Sequence, residues 1–230
     1  MKVSLIIPTL NESGSIEALF RGLDEAIKGL PQDWGFEVVV VDDGSTDGTP
    51  DIARSLPTGF TKKIIQRKER GLATAVLRGF AEAEGDVLGV IDADLSHPTQ
   101  KIPELLAQLE GKDVVVASRN IPGGEVEEWP WYRRFMSWFA TLLTRPLGVK
   151  SSDPMSGFFF VRREVLEGSE LSPLGYKILL EILVKAKIRS VSEVPYVFRN
   201  REVGKSKMDS RVTANYLRHL WRLYKWRFFG

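Results

Sequence analysis

A mostly parallel β-sheet with helices packed on both faces is the fold class that this sequence predicts. Three observations predict it. Over the first ~120 residues, apolar runs of strand length alternate with stripes at helical spacing. The runs are apolar almost throughout, as strands covered on both faces must be. Their C-terminal ends carry polar and acidic residues, which gather at the one edge where open parallel sheets bind ligands.

In chain order, strands are expected over residues 3–7, 36–41, 63–67, 87–91 and 113–117. Between them, Ile16, Leu19, Phe20, Leu23 and Ile27 recur at helical spacing. Val76, Leu77 and Phe80 do the same, as do Ile102, Leu105, Leu106 and Leu109, and these stripes are read as core. After Ser118 the pattern changes. A loop at Asn120-Ile121-Pro122-Gly123-Gly124 leads into an aromatic segment over 129–147. A strand at 158–161, a helix over 173–187, a strand at 191–197 and a helical tail of ~25 residues complete the expectation.

The totals exclude several classes. With 230 residues and 43% hydrophobic content, the chain can form one large cored domain or a domain with an appendage. The absence of cysteine excludes disulfides, thiolate metal sites and a cysteine nucleophile, and fits a reducing compartment. A net charge of +2 excludes a strongly basic nucleic-acid binder, yet residues 199–230 hold nine Lys/Arg against two acids. Met1-Lys2 runs straight into Val3-Ser4-Leu5-Ile6-Ile7, with no secretory signal visible. The longest apolar candidate, 135–144, falls well short of the ~20 residues a spanning helix needs, and is flanked by Arg133-Arg134 and Arg145.

The chemistry concentrates at strand ends. Asp92-Ala93-Asp94 follows Val87-Leu88-Gly89-Val90-Ile91, so two carboxylates emerge together where a buried strand stops. They repel each other unless a hard cation such as Mg²⁺ or Mn²⁺ sits between them, and that ion could also hold a diphosphate. A solvated acidic loop is the alternative for such a pair taken alone. Pro8 and Asp42-Asp43 end the first and second strands at the same edge, and the two aspartates are read as ligand contacts. Ser45, Thr46 and Asp47 are read as turn and cap residues. Gly71-Leu72-Ala73 resembles a helix entry whose N–H groups could face a phosphate. Only two histidines occur, His97 and His219, and His97 before Pro98 reads as a helix-entry residue rather than a base. Glu181, alone in an apolar run, is either the buried partner of a cation or the exposed edge of a helix.

These segments carry a resemblance. Val3-Ser4-Leu5-Ile6-Ile7-Pro8-Thr9, Val41-Asp42-Asp43-Gly44-Ser45 and Asp92-Ala93-Asp94, in that order, resemble the GT-A glycosyltransferases of family 2. More narrowly, five segments resemble the dolichyl-phosphate mannose synthases: Asp92-Ala93-Asp94-Leu95-Ser96-His97-Pro98, Ser118-Arg119, the run from Gly123 to Trp129, Ser156-Gly157-Phe158 and the run from Gly175 to Ile182. The likeness spans nearly all of the chain and continues into Gly204-Lys205-Ser206-Lys207. It departs at Leu10, where many members have Tyr, and at Ser96, where some have Gln. Other members also continue into transmembrane helices after the basic tail.

The resemblance implies a GT-A (Rossmann-like) domain over 1–205 and a basic amphipathic segment over 206–230. It implies an inverting, metal-dependent transfer of mannose from GDP-mannose to dolichyl or another polyprenyl phosphate. Asp92, Asp94, Arg119 and Arg133 would be catalytic. Pro8, Leu10, Glu12, Val41, Asp43, Asp92, Ala93, Asp94, Arg119, Arg201 and Lys207 would hold the donor. Arg133 and Ser137 would meet the acceptor phosphate, and Asp92, Asp94 and, less directly, Ser96 would serve Mg²⁺ or Mn²⁺. That acceptor is already an anion, so no general base is required, which suits a chain with no Ser-His-Asp set. A UDP-glucose-dependent transferase to the same lipid and a non-catalytic nucleotide-sugar binder are the rival readings.

Trp129, Trp131, Tyr132, Phe135, Met136, Trp138 and Phe139 crowd one segment; Leu217, Leu220, Trp221 and Tyr224 accompany Arg211, Arg218, Arg222 and Lys225 in the tail. Aromatic rings beside Lys/Arg suit a helix lying in a membrane interface, with core packing or a dimer seam as alternatives. The expected setting is peripheral, on the cytoplasmic face of a membrane with an anionic surface. A membrane-protein partner subunit is a further candidate, and nucleic acid is not.

Overall fold

The structure is a computed structural model that describes residues 1–127, 129–199 and 210–229. Seven strands form one sheet in the order β3-β2-β1-β4-β7-β5-β8. They are β1 (Lys2–Thr9), β2 (Gly35–Asp42), β3 (Thr61–Gln66), β4 (Val87–Val90), β5 (Val114–Ser118), β7 (Phe159–Arg162) and β8 (Val191–Pro195). All run parallel except β7, which is antiparallel to both β4 and β5. Register sets Thr9 beside Asp42 and Asp42 beside Gln66, so the ends of three strands align at one edge. A separate parallel pair joins β6 (Glu125–Val126) to β9 (Val197–Phe198).

Alternation within the strands divides the core in two. Val3, Leu5, Ile7, Val38, Val40, Phe158 and Phe160 face α1 (Ile16–Ile27), α2 (Thr49–Ser55) and α4 (Ile102–Gln108). Ile6, Val39, Val41, Leu88, Val90, Phe159 and Val161 face α3 (Leu72–Glu82), α6 (Arg163–Leu166) and α7 (Ile178–Lys185). Because successive side chains leave opposite faces, both sets must be apolar, which explains the unbroken runs in the sequence. Each fully buried Val, Leu or Ile contributes about 1.5–3 kcal/mol.

Several elements differ from the expectation. The predicted strand at 191–197 is two strands: β8 stops at Pro195, and the chain crosses at Tyr196 to pair with β6. The predicted helix over 173–187 begins only at Ile178, because Gly175 takes φ +77° and the residues before it form a loop. Helix α2 has seven residues, too few to show a stripe.

Two helices lie outside this sandwich. Helix α5 (Trp131–Leu142) buries none of its residues, and Trp131, Tyr132, Phe135, Met136, Trp138 and Phe139 are exposed. Helix α8 (Ser210–Phe229) has two faces. Leu220 and Leu223, flanked by Tyr216 and Tyr224, pack on Leu180, Val184 and Leu147, while Leu217, Trp221, Trp226, Phe228 and Phe229 remain exposed. Leu220 and Tyr224, grouped with the interface residues from sequence, are therefore turned inward. Tyr216 and Tyr224 donate their hydroxyl hydrogens to the carbonyls of Ala140 and Leu143, at 2.6 and 2.7 Å. No helix among the described residues is long and apolar enough to cross a membrane.

Glu181 settles between its two readings as a buried partner, though of Lys185 (2.6 Å) and His219 (3.0 Å) rather than of an arginine at the sheet edge. Burial opposes its ionisation, but the hydrogen bonds from His219, Lys185 and the Ser172 N–H prevail and hold the carboxyl at about 2, below its ordinary 4.5. A depressed carboxyl contributes stability that is complete above pH 4.5 and is lost as pH falls toward 2. Glu181→Gln is accordingly expected to lower the urea midpoint at pH 7, by about 1–3 kcal/mol in stability. The difference from wild type should shrink on acidification between pH 4.5 and 2, and a pH-independent difference would count against the ion cluster.

Candidate active site

The loops after β1 and β2 are stitched together before anything binds. Asn11, at φ +59°, receives the N–H of Thr46 on its side-chain oxygen at 2.9 Å and donates its own N–H to Ser45 Oγ at 2.8 Å. Glu12 N–H reaches Thr49 Oγ1 at 2.9 Å, and Ser13 N–H reaches Asp47 at 3.0 Å. Burial disfavours the Asp47 anion, yet the donors from Thr49 and Ser13 bring its carboxyl down to about 2. Asp47 thus ties two loops together, a larger task than the cap expected of it; the N-cap of α2 is Gly48.

Asp42 and Asp43 divide their work. Asp42 is fully buried and accepts hydrogen bonds from Thr9 Oγ1 (3.0 Å) and from the N–H groups of Gly44 and Ser45 (3.1 and 2.9 Å). These bonds make Asp42 the residue that closes the turn. Asp43 is forked by Arg67, with Nε at 2.5 Å and Nη2 at 3.0 Å, and also takes the Gly71 N–H at 2.7 Å. The N–H of Gly71, expected to face a phosphate, is therefore spent on Asp43. Leu10 is exposed at this edge and Pro8 half-buried, while the Val41 side chain lies in the core and leaves only its main chain to the site.

Asp92 and Asp94 leave the end of β4 with separate supports. Asp94 is buried, and its Oδ1 accepts from Ser96 N–H at 3.1 Å and Ser96 Oγ at 2.5 Å. Ser96, expected near the metal, spends its hydroxyl hydrogen on Asp94. Leu95 takes φ +61° between them, a conformation that costs a side-chain-bearing residue about 1–3 kcal/mol. Asp92 lies 3.3 Å from His97 Nε2. The His97 ring is buried against Phe158, Tyr196 and Phe198 and braces Asp92 from the entry to the helical segment, where a 3₁₀ turn over Thr99–Lys101 leads into α4. Behind Asp92, a Cβ on Gly157 would stand 2.9 Å from its Oδ2, so a side chain there would push the carboxylate out of its position. No group of three His, Cys, Asp or Glu among the described residues is arranged for a metal ion. An ion at Asp92 and Asp94 would complete its shell from phosphate oxygens or water.

Arg119, at the end of β5, has a partner that sequence reading missed. Asp153, fully buried, receives Arg119 Nε and Nη2 at 2.7 Å each and the Arg119 N–H at 3.1 Å. Burial works against the Arg119 charge, and the hydrogen bonds and charge of Asp153 more than reverse it, raising its pKa. Its guanidinium carbon lies 5.9 Å from the Trp129 ring, which Arg133 covers from 4.0 Å. Two arginines distant in sequence thereby meet at one indole. Beside them opens a cavity of about 800 Å³ lined by Arg119, Trp129, Arg134, Ser137, Arg145 and Lys150 among others. Arg134 belongs to this wall and donates to the Val126 carbonyl at 2.9 Å. Arg162 and Arg163, at the far end of the strands, satisfy backbone carbonyls of Lys112 and Gly85. Arg201 and Lys207 lie outside the described residues.

Over residues 4–169 the chain matches the description of glycosyl transferase family 2. The chain belongs to that family. This glycosyltransferase is 48% identical to a dolichol-phosphate mannosyltransferase of Pyrococcus furiosus over 98% of its own length, and spans 64% of that relative. It is 38% identical to the dolichol-phosphate mannosyltransferase of Mycosarcoma maydis, covering 98% of this chain and 80% of the relative. Its backbone matches glucosyl-3-phosphoglycerate synthase of Mycobacterium tuberculosis, solved with Mn²⁺, UDP and glucosyl-3-phosphoglycerate, at a TM-score of 0.70 and 22% identity. That match covers 98% of this chain and 79% of the other. The sheet of the glycosyltransferase is thus of the GT-A type.

The buried Arg119–Asp153 pair makes a direct prediction. Removing one partner of such a pair costs about 3–5 kcal/mol, because the other is left charged and dry. Asp153→Ala should show a loss of this size in urea unfolding, and pairing it with Arg119→Met should recover part of the loss. Additive losses would show that the two side chains are not coupled.

Proposed function

We propose that this glycosyltransferase moves mannose from GDP-mannose to the phosphate of dolichol or another polyprenol. One observation carries the reading: Asp92, of the strand-end pair Asp92/Asp94, feels the charge of Arg119, which lines a basic, aromatic cavity beside the exposed rings of α5. An oxygen of the acceptor phosphate attacks the anomeric carbon of mannose opposite the nucleotide; the bond to the β-phosphate breaks, GDP departs, and the configuration inverts. The acceptor is ionised beforehand, so no proton need be removed, and His97 is left free to hold Asp92. The all-oxygen donor set of Asp92 and Asp94 fits Mg²⁺ or Mn²⁺, which would offset charge on the leaving diphosphate. The Mn²⁺ of the solved neighbour supports a divalent ion here, and the relatives' names support mannose and a polyprenyl phosphate. Arg133 and Ser137 are assigned to the acceptor phosphate, with Arg119, Asp43 and the edge residues Pro8, Leu10 and Glu12 on the donor side.

Purified protein with Mn²⁺ and a short polyprenyl phosphate should transfer mannose from GDP-mannose and leave UDP-glucose largely unused. Asp94→Ala should reduce that turnover by about 100-fold or more with its melting temperature preserved. Preference for UDP-glucose, or full turnover by Asp94→Ala in chelator, would overturn the assignment.

Peripheral attachment to an anionic membrane, on its cytoplasmic face, belongs to the same proposal. Its support is the exposed aromatic face of α5 together with the outer face of α8, where Trp221, Trp226 and Phe229 accompany Arg222 and Lys225. Each Lys or Arg near such a surface contributes about 1 kcal/mol. The inward face of α8 makes deletion of the tail a poor test, since that would strip Leu180 and Val184 of cover. Trp221→Glu with Trp226→Glu should instead lower sedimentation with anionic vesicles at low salt and leave GDP binding unchanged. Equal sedimentation would assign attachment to α5 alone.

A further inference from the structure

Gly175-Tyr176-Lys177 has no part in the reaction as described so far, yet the fold delivers it to the reacting edge. Gly175 occupies the left-handed region, and its carbonyl accepts the Ala73 N–H at 3.3 Å, which pins the loop to the start of α3. Lys177 follows two residues later, and α7 starts at the next position. The chain is therefore fixed on both sides of this lysine. Its Nζ reaches the carbonyl oxygen of Met155 at 3.4 Å, and from Met155 the chain runs through Ser156 to Gly157, against the back of Asp92.

What sets Lys177 apart is its lack of a carboxylate. Arg67 is forked onto Asp43 and Arg119 onto Asp153, so each of those charges has a carboxylate partner at short range. Among the described residues, Lys177 forms no salt bridge, and its one hydrogen bond is the long one to Met155. Lys177 is half-buried, and an ammonium partly withdrawn from water is poorly served by a single neutral carbonyl. Burial and the neighbouring Arg119 accordingly draw Lys177 down to about 8, against the pull of Asp153 and Asp92. A phosphate oxygen would supply the missing partner through a charge-assisted hydrogen bond. The same lysine would bring positive charge to a place where two phosphates must approach each other, and where Arg119 is already paired with Asp153.

We propose that Lys177 is a phosphate-binding residue of the transfer reaction, its ammonium holding an oxygen of one of the two phosphates that meet beside Asp92. The proposal rests on the mannosyl-transfer reading above, and the two are separable by experiment. Lys177→Met keeps the length of the side chain and removes the charge; Lys177→Arg keeps the charge. With both variants melting like wild type, Lys177→Met should lower kcat/KM by about 100-fold or more, and Lys177→Arg should recover much of it. Calorimetry with GDP and Mn²⁺ then identifies the phosphate. Weaker GDP binding by Lys177→Met places the lysine on the donor diphosphate. Unchanged GDP binding with a raised KM for a short polyprenyl phosphate places it on the acceptor. An active wild type with an equally active Lys177→Met overturns the role of the lysine alone, as does an arginine variant no better than the methionine one. A wild type that transfers nothing overturns the mannosyl-transfer reading on which the proposal stands.

Discussion

Negative charge gathered at one edge of the sheet is the constraint that organises this molecule. Asp42, Asp43, Asp92, Asp94 and Asp153 all lie in loops or strand ends at that edge, most of them withdrawn from water. A carboxylate so placed requires donors, and the surrounding chain supplies them individually: backbone N–H groups for Asp42, Arg67 for Asp43, His97 for Asp92, Ser96 for Asp94 and Arg119 for Asp153. Loops that would otherwise be free to move are immobilised by these obligations. The rigidity at the reacting edge is a by-product of electrostatic necessity, and it holds the Asp92/Asp94 pair in place before any substrate arrives.

How much of this could be read from residues alone depends on range. The parallel strands were legible because burial on two faces leaves an unmistakable apolar run, and Asp92-Ala93-Asp94 was legible because it interrupts one. The reversal of β7 was not, since Phe159–Arg162 is as apolar as its parallel neighbours and direction leaves no mark on composition. Partnerships were the other blind spot. Asp43 and Arg67 are 24 positions apart, and Arg119 and Asp153 are 34 apart, with nothing local in either segment to announce the pairing. Without those partners, Asp42 and Asp43 looked alike, although one closes a turn and the other forks an arginine. Ser96 similarly read as a group near a metal because its hydrogen bond to Asp94 is a matter of side-chain orientation, invisible in spacing.

The tail shows a different limit. Its charge and aromatic content identify an amphipathic helix, but a helix with apolar residues nearly all round does not declare which of them face the protein. Packing decides it: Leu220 and Leu223 complete a small core with Leu180 and Val184, and the two tyrosines direct their hydroxyls onto the end of α5 and the chain just after it. Helices α5 and α8 therefore touch through specific hydrogen bonds, and their outward aromatic faces belong to one connected piece of structure.

The reversed strand has a consequence for the economy of the fold. In a strictly parallel sheet, the chain leaving β5 would have to cross to the far edge before forming its next strand in the sheet. Because β7 runs the other way, residues 119–158 can stay on the near side throughout, and that stretch contains the cavity wall, α5 and Asp153. All the elaboration is thus on one side, while the opposite edge is left with plain connections. The turn at Gly111, with φ +65° and open space where a side chain would project, is such a connection, entering β5 from below. A fluorophore or affinity handle inserted there would sit at the opposite end of the strands from Asp92 and Asp94, where a side chain at Gly111 would meet open space.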